Sequence, residues 1–198
     1  MKVVSEFVTS AAGAAGFPTS GLPEVAMVGR SNVGKSTLIN ALVRQKLART
    51  SAAPGKTRLA NFYRVAADNR PVFHLVDLPG YGYARGGQKT REEFDALAAE
   101  YFLSRQGAAS QFAGVLALVD SRHPGLEADL RSWSWLEQLG AERHVVATKV
   151  DKLTQADRRR HLKELERIYS GPVTPVSAQT GEGLDELWTT IVRLITRR

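Results

Sequence analysis

Short apolar runs of strand length alternate along the chain with longer stretches in which apolar residues recur every three or four positions. The short runs predict six β-strands, at residues 25–28, 60–65, 72–76, 115–119, 144–148 and 173–176. Between the second and third strands, residues 67–70 have the turn-forming sequence Ala-Asp-Asn-Arg. These two strands are therefore expected to form an antiparallel hairpin.

The longer stretches predict helices, because their apolar residues fall on one face at the helical period. They lie at residues 37–43, 94–102, 126–139, 154–169 and 184–195. In the fourth, Thr154 followed by Asp157 has the spacing of a helix-capping pair. Strands that alternate with helices predict an α/β fold, with a mostly parallel six-stranded sheet, one antiparallel strand and helices on both faces.

The 198 residues are enough for one domain with a short extension. Residues 1–22 are rich in small and polar residues, which predicts a loosely structured N-terminal extension, and residues 23–198 are predicted to form the folded domain. No apolar run reaches the ~18–20 residues of a membrane-spanning helix, and the first residues lack the pattern of a signal peptide. We therefore expect a cytoplasmic protein that has no membrane partner.

The chain carries 27 Lys and Arg against 20 Asp and Glu residues, a formal net charge of +7, and it has no Cys. Without Cys, disulfides, thiolate zinc sites and iron–sulfur clusters are excluded. A basic surface is frequent in proteins that bind nucleic acid, although ordinary enzymes also carry one. The charge alone leaves the class of partner open.

The strongest candidate for chemistry follows the first predicted strand and precedes the first predicted helix. Residues 29–36 fit the phosphate-binding pattern G-x-x-x-x-G-K-[ST]. Its glycines let backbone N–H groups point at phosphate oxygens, Lys35 offers an ammonium to the β- and γ-phosphates, and Ser36 offers a hydroxyl to Mg²⁺. The residues predicted to bind phosphate are Gly29, Arg30, Ser31, Asn32, Val33, Gly34, Lys35 and Ser36.

Two further segments are predicted to sense the γ-phosphate. Asp77 ends a predicted strand and could hold Mg²⁺ through water, and Gly80 could bring its N–H close to the phosphate, with Leu78 and Pro79 between them. In the loop before the second strand, the Thr57 hydroxyl could reach Mg²⁺ only when the γ-phosphate is present, which would make the loop a switch. The predicted nucleotide contacts of this loop are Gly55, Lys56, Thr57, Arg58 and Leu59.

The choice of base is predicted by residues that follow the last two strands. The Asp151 carboxylate could accept hydrogen bonds from guanine N1–H and the 2-amino group, a donor pair that adenine lacks, while the Lys149 stem lies along the base. Backbone N–H groups after the last strand could bind guanine O6. The predicted base-binding residues are Thr148, Lys149, Val150, Asp151, Val176, Ser177 and Ala178.

These motifs, in this order, resemble those of the translation-factor-related small GTPases, and more closely those of the bacterial EngB (YsxC/YihA) family. The residues that carry the resemblance are 30–36, 54–57 with 61–63, the run Val-Asp-Leu-Pro-Gly-Tyr-Gly-Tyr-Ala at 76–84, 120–124 with 135–136, and 148–151. The resemblance implies a Ras-like fold, Mg²⁺-dependent GTP hydrolysis and a role in maturing the large ribosomal subunit, with ribosomal RNA and proteins as partners. It also implies a link to cell division and septation.

One position departs from Ras-like proteins in a way that bears on the rate. Tyr81 stands where those proteins have the Gln that orients the attacking water, so either intrinsic hydrolysis is slow or another residue, such as Gln88, substitutes. In similar GTPases an Asn at the position of Asn32 helps to hold K⁺, but here it could serve only the loop geometry. The predicted catalytic residues are Lys35, Thr57, Gly80 and Asn32.

Two other functions remain open at this point. A small-molecule kinase would use ATP, which Asp151 argues against. An RNA-binding protein with a non-catalytic nucleotide site would use the basic clusters at 158–160, at 193 with 197–198, and at 85 with 89 and 91. Intact Lys35, Ser36, Thr57 and Asp77 argue against a dead site. A monomer is expected.

Overall fold

The computed structural model describes residues 2–49, 59–81, 87–105 and 111–197, and for residues 87–94 only the backbone. The strands are β1 (Val3–Ala11), β2 (Glu24–Gly29), β3 (Ala60–Ala67), β4 (Phe73–Asp77), β5 (Phe112–Asp120), β6 (Arg143–Thr148) and β7 (Val173–Pro175). The helices are α1 (Lys35–Val43), α2 (Gly87–Ser104), α3 (Glu127–Gln138), α4 (Gln155–Tyr169) and α5 (Leu184–Thr196).

The strands form one sheet in the order β1-β3-β4-β2-β5-β6-β7. β3 pairs antiparallel with both of its neighbours, and every other pair is parallel. Among the described strands, β3 is therefore the one that runs against the rest. The predicted hairpin is confirmed as β3–β4, and Asn69 in its turn has the left-handed φ of 54° that such a turn requires.

The prediction of a loosely structured N-terminal segment is wrong for residues 3–11, and the sheet of the described residues has seven strands instead of the predicted six. Residues 3–11 form β1, which pairs along β3 at the edge of the sheet. Most of its side chains are exposed or half-buried, so an apolar pattern could not mark it. Backbone hydrogen bonding to β3 and cross-strand contacts hold it instead, among them Ser10 Oγ to Asn61 Oδ1 at 2.5 Å.

Helices cover both faces of the sheet, as predicted. Alternate residues of β5 point to opposite faces: Leu116 and Leu118 join the core beneath α1 and α5, while Val115 and Ala117 join the core beneath α2 and α3. Val119 packs with α4 on this second face. In the part of the chain that the model covers, none of the helices combines the length and apolar character needed to cross a membrane.

Candidate nucleotide-binding site

The carboxyl ends of the parallel strands bring the predicted motifs to one edge of the sheet. The phosphate loop follows β2, residues 77–80 end β4 and continue from it, residues 148–151 end β6 and continue from it, and residues 176–178 follow β7. Ligands of open α/β sheets bind at this edge, because the loops there converge and helices point their N-termini at it.

The phosphate loop has the backbone shape that its glycines suggest. A Cβ on Gly29 would lie 2.9 Å from the Leu118 carbonyl oxygen, so no side chain fits there. Gly34 has a φ of 110°, and Asn32 also has a left-handed φ, of 63°. Gly34 immediately precedes α1, so the loop leads into a helix N-terminus, where free N–H groups and the helix dipole favour an anion.

Lys35, the first residue of α1, places its ammonium inside this loop. Its Nζ donates to the Gly29 carbonyl oxygen at 3.1 Å, and the residue is buried. Burial lowers the pKa of Lys35, while the nearby Asp77 carboxylate acts in the opposite direction. The ammonium is thus held where it can stabilise the negative charge of a phosphate group in the loop.

Asp77 and Ser36 supply the oxygen atoms that a Mg²⁺ ion requires. Burial raises the pKa of Asp77 to about 6, against the opposing effects of the Lys35 charge and of the Ser36 hydroxyl. Asp77 Oδ1 is buried and has no hydrogen-bond partner among the described residues. A hydroxyl next to an under-coordinated carboxylate fits Mg²⁺ completed by phosphate and water oxygens. No group of three His, Cys, Asp or Glu side chains in the described segments could hold a metal alone.

Residues 78–81 run directly across the phosphate loop. The Ser31 N–H donates to the Tyr81 carbonyl oxygen at 3.0 Å. A Cβ on Gly80 would lie 2.9 Å from the Ser31 backbone nitrogen and 3.0 Å from Lys35 Nζ. Only glycine therefore allows this approach, and Gly80 lies beside the ammonium that would hold the β- and γ-phosphates.

The side chain of Tyr81 points to α3, where Asp129 also pairs with Arg30 of the phosphate loop at 3.5 Å. Its hydroxyl donates to Asp129 Oδ1 in α3 at 3.0 Å. This hydrogen bond ties the side chain of Tyr81 to α3. Gln88 lies in α2, but its side chain is outside the described part of the molecule.

The base-binding segment is tied to the phosphate loop by two side chains. Thr148 Oγ1 donates to the Val33 carbonyl oxygen at 2.7 Å, and Lys149 Nζ donates to the Asn32 carbonyl oxygen at 2.6 Å. Lys149 has a left-handed φ of 62°, which turns its side chain back toward the loop. The Lys149 stem passes Gly34, so its methylene groups lie next to the space for a nucleotide.

The carboxylate of Asp151 is held as a hydrogen-bond acceptor. Partial burial raises its pKa, but the hydrogen bond from Ser177 and the ion pair with Lys152 outweigh this effect, and the pKa of Asp151 lies below its ordinary value. The Ser177 hydroxyl donates to Asp151 Oδ1 at 2.7 Å. An ionised carboxylate in this place can accept the paired N–H groups of guanine.

The three residues predicted to bind guanine O6 are not equivalent. The Val176 N–H donates to the Ala147 carbonyl oxygen at 2.8 Å, and the Ser177 N–H donates to the Glu182 carbonyl oxygen at 3.0 Å. The N–H of Ala178 makes no hydrogen bond to another described residue. Of the three predicted donors to guanine O6, the N–H of Ala178 is therefore the one that is still available.

Most of the predicted nucleotide contacts in the loop before β3 lie outside the described residues. Gly55, Lys56, Thr57 and Arg58 lie outside the described residues, so the Thr57 ligand to Mg²⁺ stays a prediction. Leu59, directly before β3, is exposed.

One acidic residue that contacts the predicted site was missed by the analysis of the sequence. Asp120 ends β5 and accepts a hydrogen bond from Lys149 Nζ at 2.9 Å. The signal that marked Asp77, a carboxylate at the carboxyl end of a parallel strand, was equally present at Asp120 and could have found it.

Comparison with known proteins assigns the family. A family model described as "50S ribosome-binding GTPase" matches residues 24–152. The probable GTP-binding protein EngB of Pelotomaculum thermopropionicum is 42% identical over 196 residues, which cover 96% of this chain and 95% of that protein. The probable GTP-binding protein EngB of Clostridioides difficile is 39% identical over 193 residues, which cover 95% of this chain and 91% of the relative.

Solved structures agree with this fold. Era of Aquifex aeolicus, bound to GDP and AlF4⁻, matches with a TM-score of 0.76 and 24% identity, over 89% of this chain and 58% of that one. A probable GTP-binding protein EngB matches with a TM-score of 0.68 and 23% identity, over 88% of this chain and all of that one. The predictions of a Ras-like fold and of a GTPase are confirmed. The chain belongs to the EngB family of GTP-binding proteins.

Proposed function

We propose that this GTPase is a switch in the assembly of the large ribosomal subunit, and that it binds ribosomal RNA and protein more tightly with GTP than with GDP. The observation that carries the proposal is the match over residues 24–152 to the family described as ribosome-binding GTPases. A structural neighbour, Era, has been solved with MgGDPNP and a segment of 16S ribosomal RNA, at a TM-score of 0.73. Its example supports RNA as the kind of partner. The cytoplasm is part of the proposal as the place where this switch acts.

In the proposed reaction, water attacks the γ-phosphate in line with the bond to the β-phosphate, and GDP and phosphate are released. Lys35 and the N–H groups of the phosphate loop would stabilise the charge that develops on the phosphate oxygens. Ser36, Thr57 and, through water, Asp77 would hold Mg²⁺, which neutralises phosphate charge when it is bound. The protein's part is mainly positioning and electrostatics, since no side chain forms a covalent intermediate.

The proposed switch depends on two segments that can sense the γ-phosphate. Thr57 precedes β3, and Gly80 lies against Lys35. Ordering of these segments by GTP would present their basic residues together. Those residues are Lys56, Arg58, Arg85 and Lys89. The link to cell division and septation that the family implies is part of the same proposal.

A second basic surface, independent of the nucleotide, lies on α4. Arg159, Lys163 and Arg167 are four residues apart, so they share one face of the helix, and all three are exposed. They make no ion pair with another described residue, whereas Arg158 pairs with Glu182 and Arg160 pairs with Asp157. We call the three unpaired cations the α4 stripe, and we propose that it contacts RNA phosphates.

We expect the triple variant Arg159→Ala/Lys163→Ala/Arg167→Ala to bind large-subunit particles roughly 10- to 100-fold more weakly in both nucleotide states. The slope of the logarithm of the association constant against the logarithm of the salt concentration should become shallower by about 2. Each lost phosphate contact removes about 0.7 from this slope, and the variant loses three contacts. Cosedimentation with GDP and with a non-hydrolysable GTP analogue, between ~50 and ~200 mM salt, measures both effects.

The matched control removes three cations that are already paired, Arg131, Arg158 and Arg160. It should change binding by less than about 3-fold, because paired cations have little charge left for a phosphate. If the two triple variants lose the same affinity for the particles, the lower net charge of the protein would explain the loss, and the α4 stripe would have no special role. Equal affinity with GDP and the GTP analogue in the unmodified protein would refute the switch and leave the GTPase assignment intact.

The same proposal includes K⁺ as an activator of slow intrinsic hydrolysis. The side chain of Asn32 is exposed at the mouth of the phosphate loop, and its own carbonyl oxygen is held by Lys149. We expect a rate in Na⁺ on the order of 10⁻⁴–10⁻³ s⁻¹, as for unassisted Ras, and a higher rate in K⁺. Single-turnover hydrolysis in the two salts measures the difference.

Asn32→Gly should abolish the K⁺ effect while GDP affinity stays within about 3-fold, since glycine accepts the left-handed φ of this position. Asn32→Asp, which keeps a side-chain oxygen, should retain the effect. A K⁺ stimulation that survives in Asn32→Gly would assign the ion to another site.

A further inference from the structure

The last residue of β5, Asp120, joins the two halves of the nucleotide site. The register of β5 against β6 places Asp120 directly beside Thr148, so its carboxylate lies next to the start of the base-binding segment. Its Oδ2 accepts a hydrogen bond from Lys149 Nζ at 2.9 Å. The same Nζ donates to the Asn32 carbonyl oxygen of the phosphate loop at 2.6 Å.

A second cation holds the Asp120 carboxylate from the other side. Arg122 donates from Nε to Oδ1 at 2.9 Å and from Nη2 to Oδ2 at 2.7 Å, and its backbone N–H donates to Oδ1 at 3.1 Å. The Asp120 side chain is 3% exposed, against 40% for Arg122 and 28% for Lys149. A two-pronged Arg pair restricts rotation of the carboxylate, so Oδ2 is fixed toward Lys149.

These contacts keep Asp120 ionised. Burial raises its pKa, but the hydrogen bonds from Arg122 and Lys149 outweigh burial, and the pKa of Asp120 lies well below its ordinary value. The carboxylate is therefore held in its charged form.

We propose that Asp120 is a positioning residue for guanine nucleotides, whose carboxylate holds the Lys149 ammonium against the Asn32 carbonyl and so aligns the base-binding segment with the phosphate loop. The inference rests on the assignment of residues 148–151 to the base. Without Asp120, Lys149 has one fixed acceptor instead of two, and its long side chain regains rotational freedom. Nucleotide must then order Lys149 on binding, which lowers affinity.

Whether removal of the Asp120 carboxylate weakens or strengthens GDP binding distinguishes the positioning role from simple charge repulsion. Removing a carboxylate near an anionic ligand should by itself strengthen binding of GDP, because one repulsive charge is lost. Positioning through Lys149 predicts the opposite. We expect Asp120→Ala to weaken GDP binding roughly 10-fold or more, the effect of one charge-assisted hydrogen bond.

The test is a double-mutant cycle on GDP affinity, with Asp120→Ala, Lys149→Ala and the double variant, titrated with a fluorescent GDP up to millimolar concentrations. If Asp120 acts through Lys149, its removal weakens binding when Lys149 is present and changes it by less than about 2-fold when Lys149 is Ala. Asp120→Asn keeps the shape and one oxygen acceptor, so it should lose less affinity than Asp120→Ala. The melting temperature of each variant is measured without nucleotide.

Equal weakening in both backgrounds would overturn the proposal, because it would mean that Asp120 only stabilises the fold of the loop. Unchanged or tighter GDP binding in Asp120→Ala would overturn it as well. The assignment of the base itself is tested separately through Asp151, so its failure and the failure of the positioning role can be told apart.

Discussion

Asp151→Asn is expected to change the preferred base from guanine to xanthine. The Ser177 hydroxyl donates to Oδ1 of Asp151, and the N–H groups of Gln179 and Thr180 in turn donate to Ser177 Oγ, which fixes that hydroxyl. In the variant the amide oxygen would keep the Ser177 contact, and the NH₂ group would take the place of Oδ2. A donor then stands where guanine presents its own donors.

Xanthine has a carbonyl at C2 where guanine has the 2-amino group, so it can accept from this NH₂ group. Sites built on such polar matches reject the wrong partner strongly. We expect GDP to bind roughly 100-fold or more weakly to the variant and xanthosine diphosphate to bind correspondingly better. Competition of the two diphosphates against a fluorescent nucleotide measures the ratio.

Lys152→Ala is the matched control for this change. Its ammonium is 3.4 Å from Asp151 Oδ2 and mostly exposed, so its loss should alter the ratio by less than about 3-fold. An unaltered guanine preference in Asp151→Asn would remove residues 148–151 from the base site.

Glu24→Ala is expected to cost about 3–5 kcal/mol of unfolding free energy, as for a buried pair that loses one partner. Glu24 begins β2 and is fully buried. Arg105 donates to it from Nε at 2.9 Å and from Nη2 at 3.1 Å, and Tyr101 Oη donates at 3.0 Å. Arg105 also donates to the Pro18 carbonyl oxygen, so the network joins β2, the end of α2 and the N-terminal segment.

The unfolding free energy that Glu24 contributes depends on pH, and the pKa of Glu24 sets the direction of this dependence. Burial raises this pKa, but the His74 ring, whose Nδ1 lies 3.8 Å from Oε1, the hydrogen bonds from Arg105 and Tyr101 and the charge of Arg105 outweigh it, and the pKa lies below the ordinary value of 4.5. The stabilisation is therefore complete above the unfolded pKa and is lost as pH falls through the folded pKa. The difference in unfolding free energy between the unmodified protein and the isosteric variant Glu24→Gln should become smaller below about pH 4.5.

Urea unfolding at several pH values measures both effects. Glu6→Ala provides the control, since Glu6 forms an exposed pair with Arg64 at 3.4 Å that should contribute less than about 0.5 kcal/mol. A Glu24→Ala cost below ~1 kcal/mol at neutral pH would show that the network does not stabilise the fold as argued.

Local patterns were enough to predict the strands and helices that form the core. The run 60–65, in which apolar residues are interspersed with Asn and Arg, and the apolar run 115–119 lie within β3 and β5. Thr154 caps α4 as predicted, accepting from the Asp157 N–H at 3.2 Å. β1 escaped prediction because its stability comes from pairing with a strand some fifty residues away, and its own side chains are mostly exposed.

The sequence by itself determined the phosphate loop, because the shape of residues 29–36 depends on glycines, a Lys and a Ser that are adjacent in the chain. Only the tertiary structure decided which way Tyr81 points, since its partner Asp129 lies on another element. The same holds for the contacts of Lys149 with Asn32 and Asp120. Side chains far apart in sequence meet only through strand order and register, which local patterns do not encode.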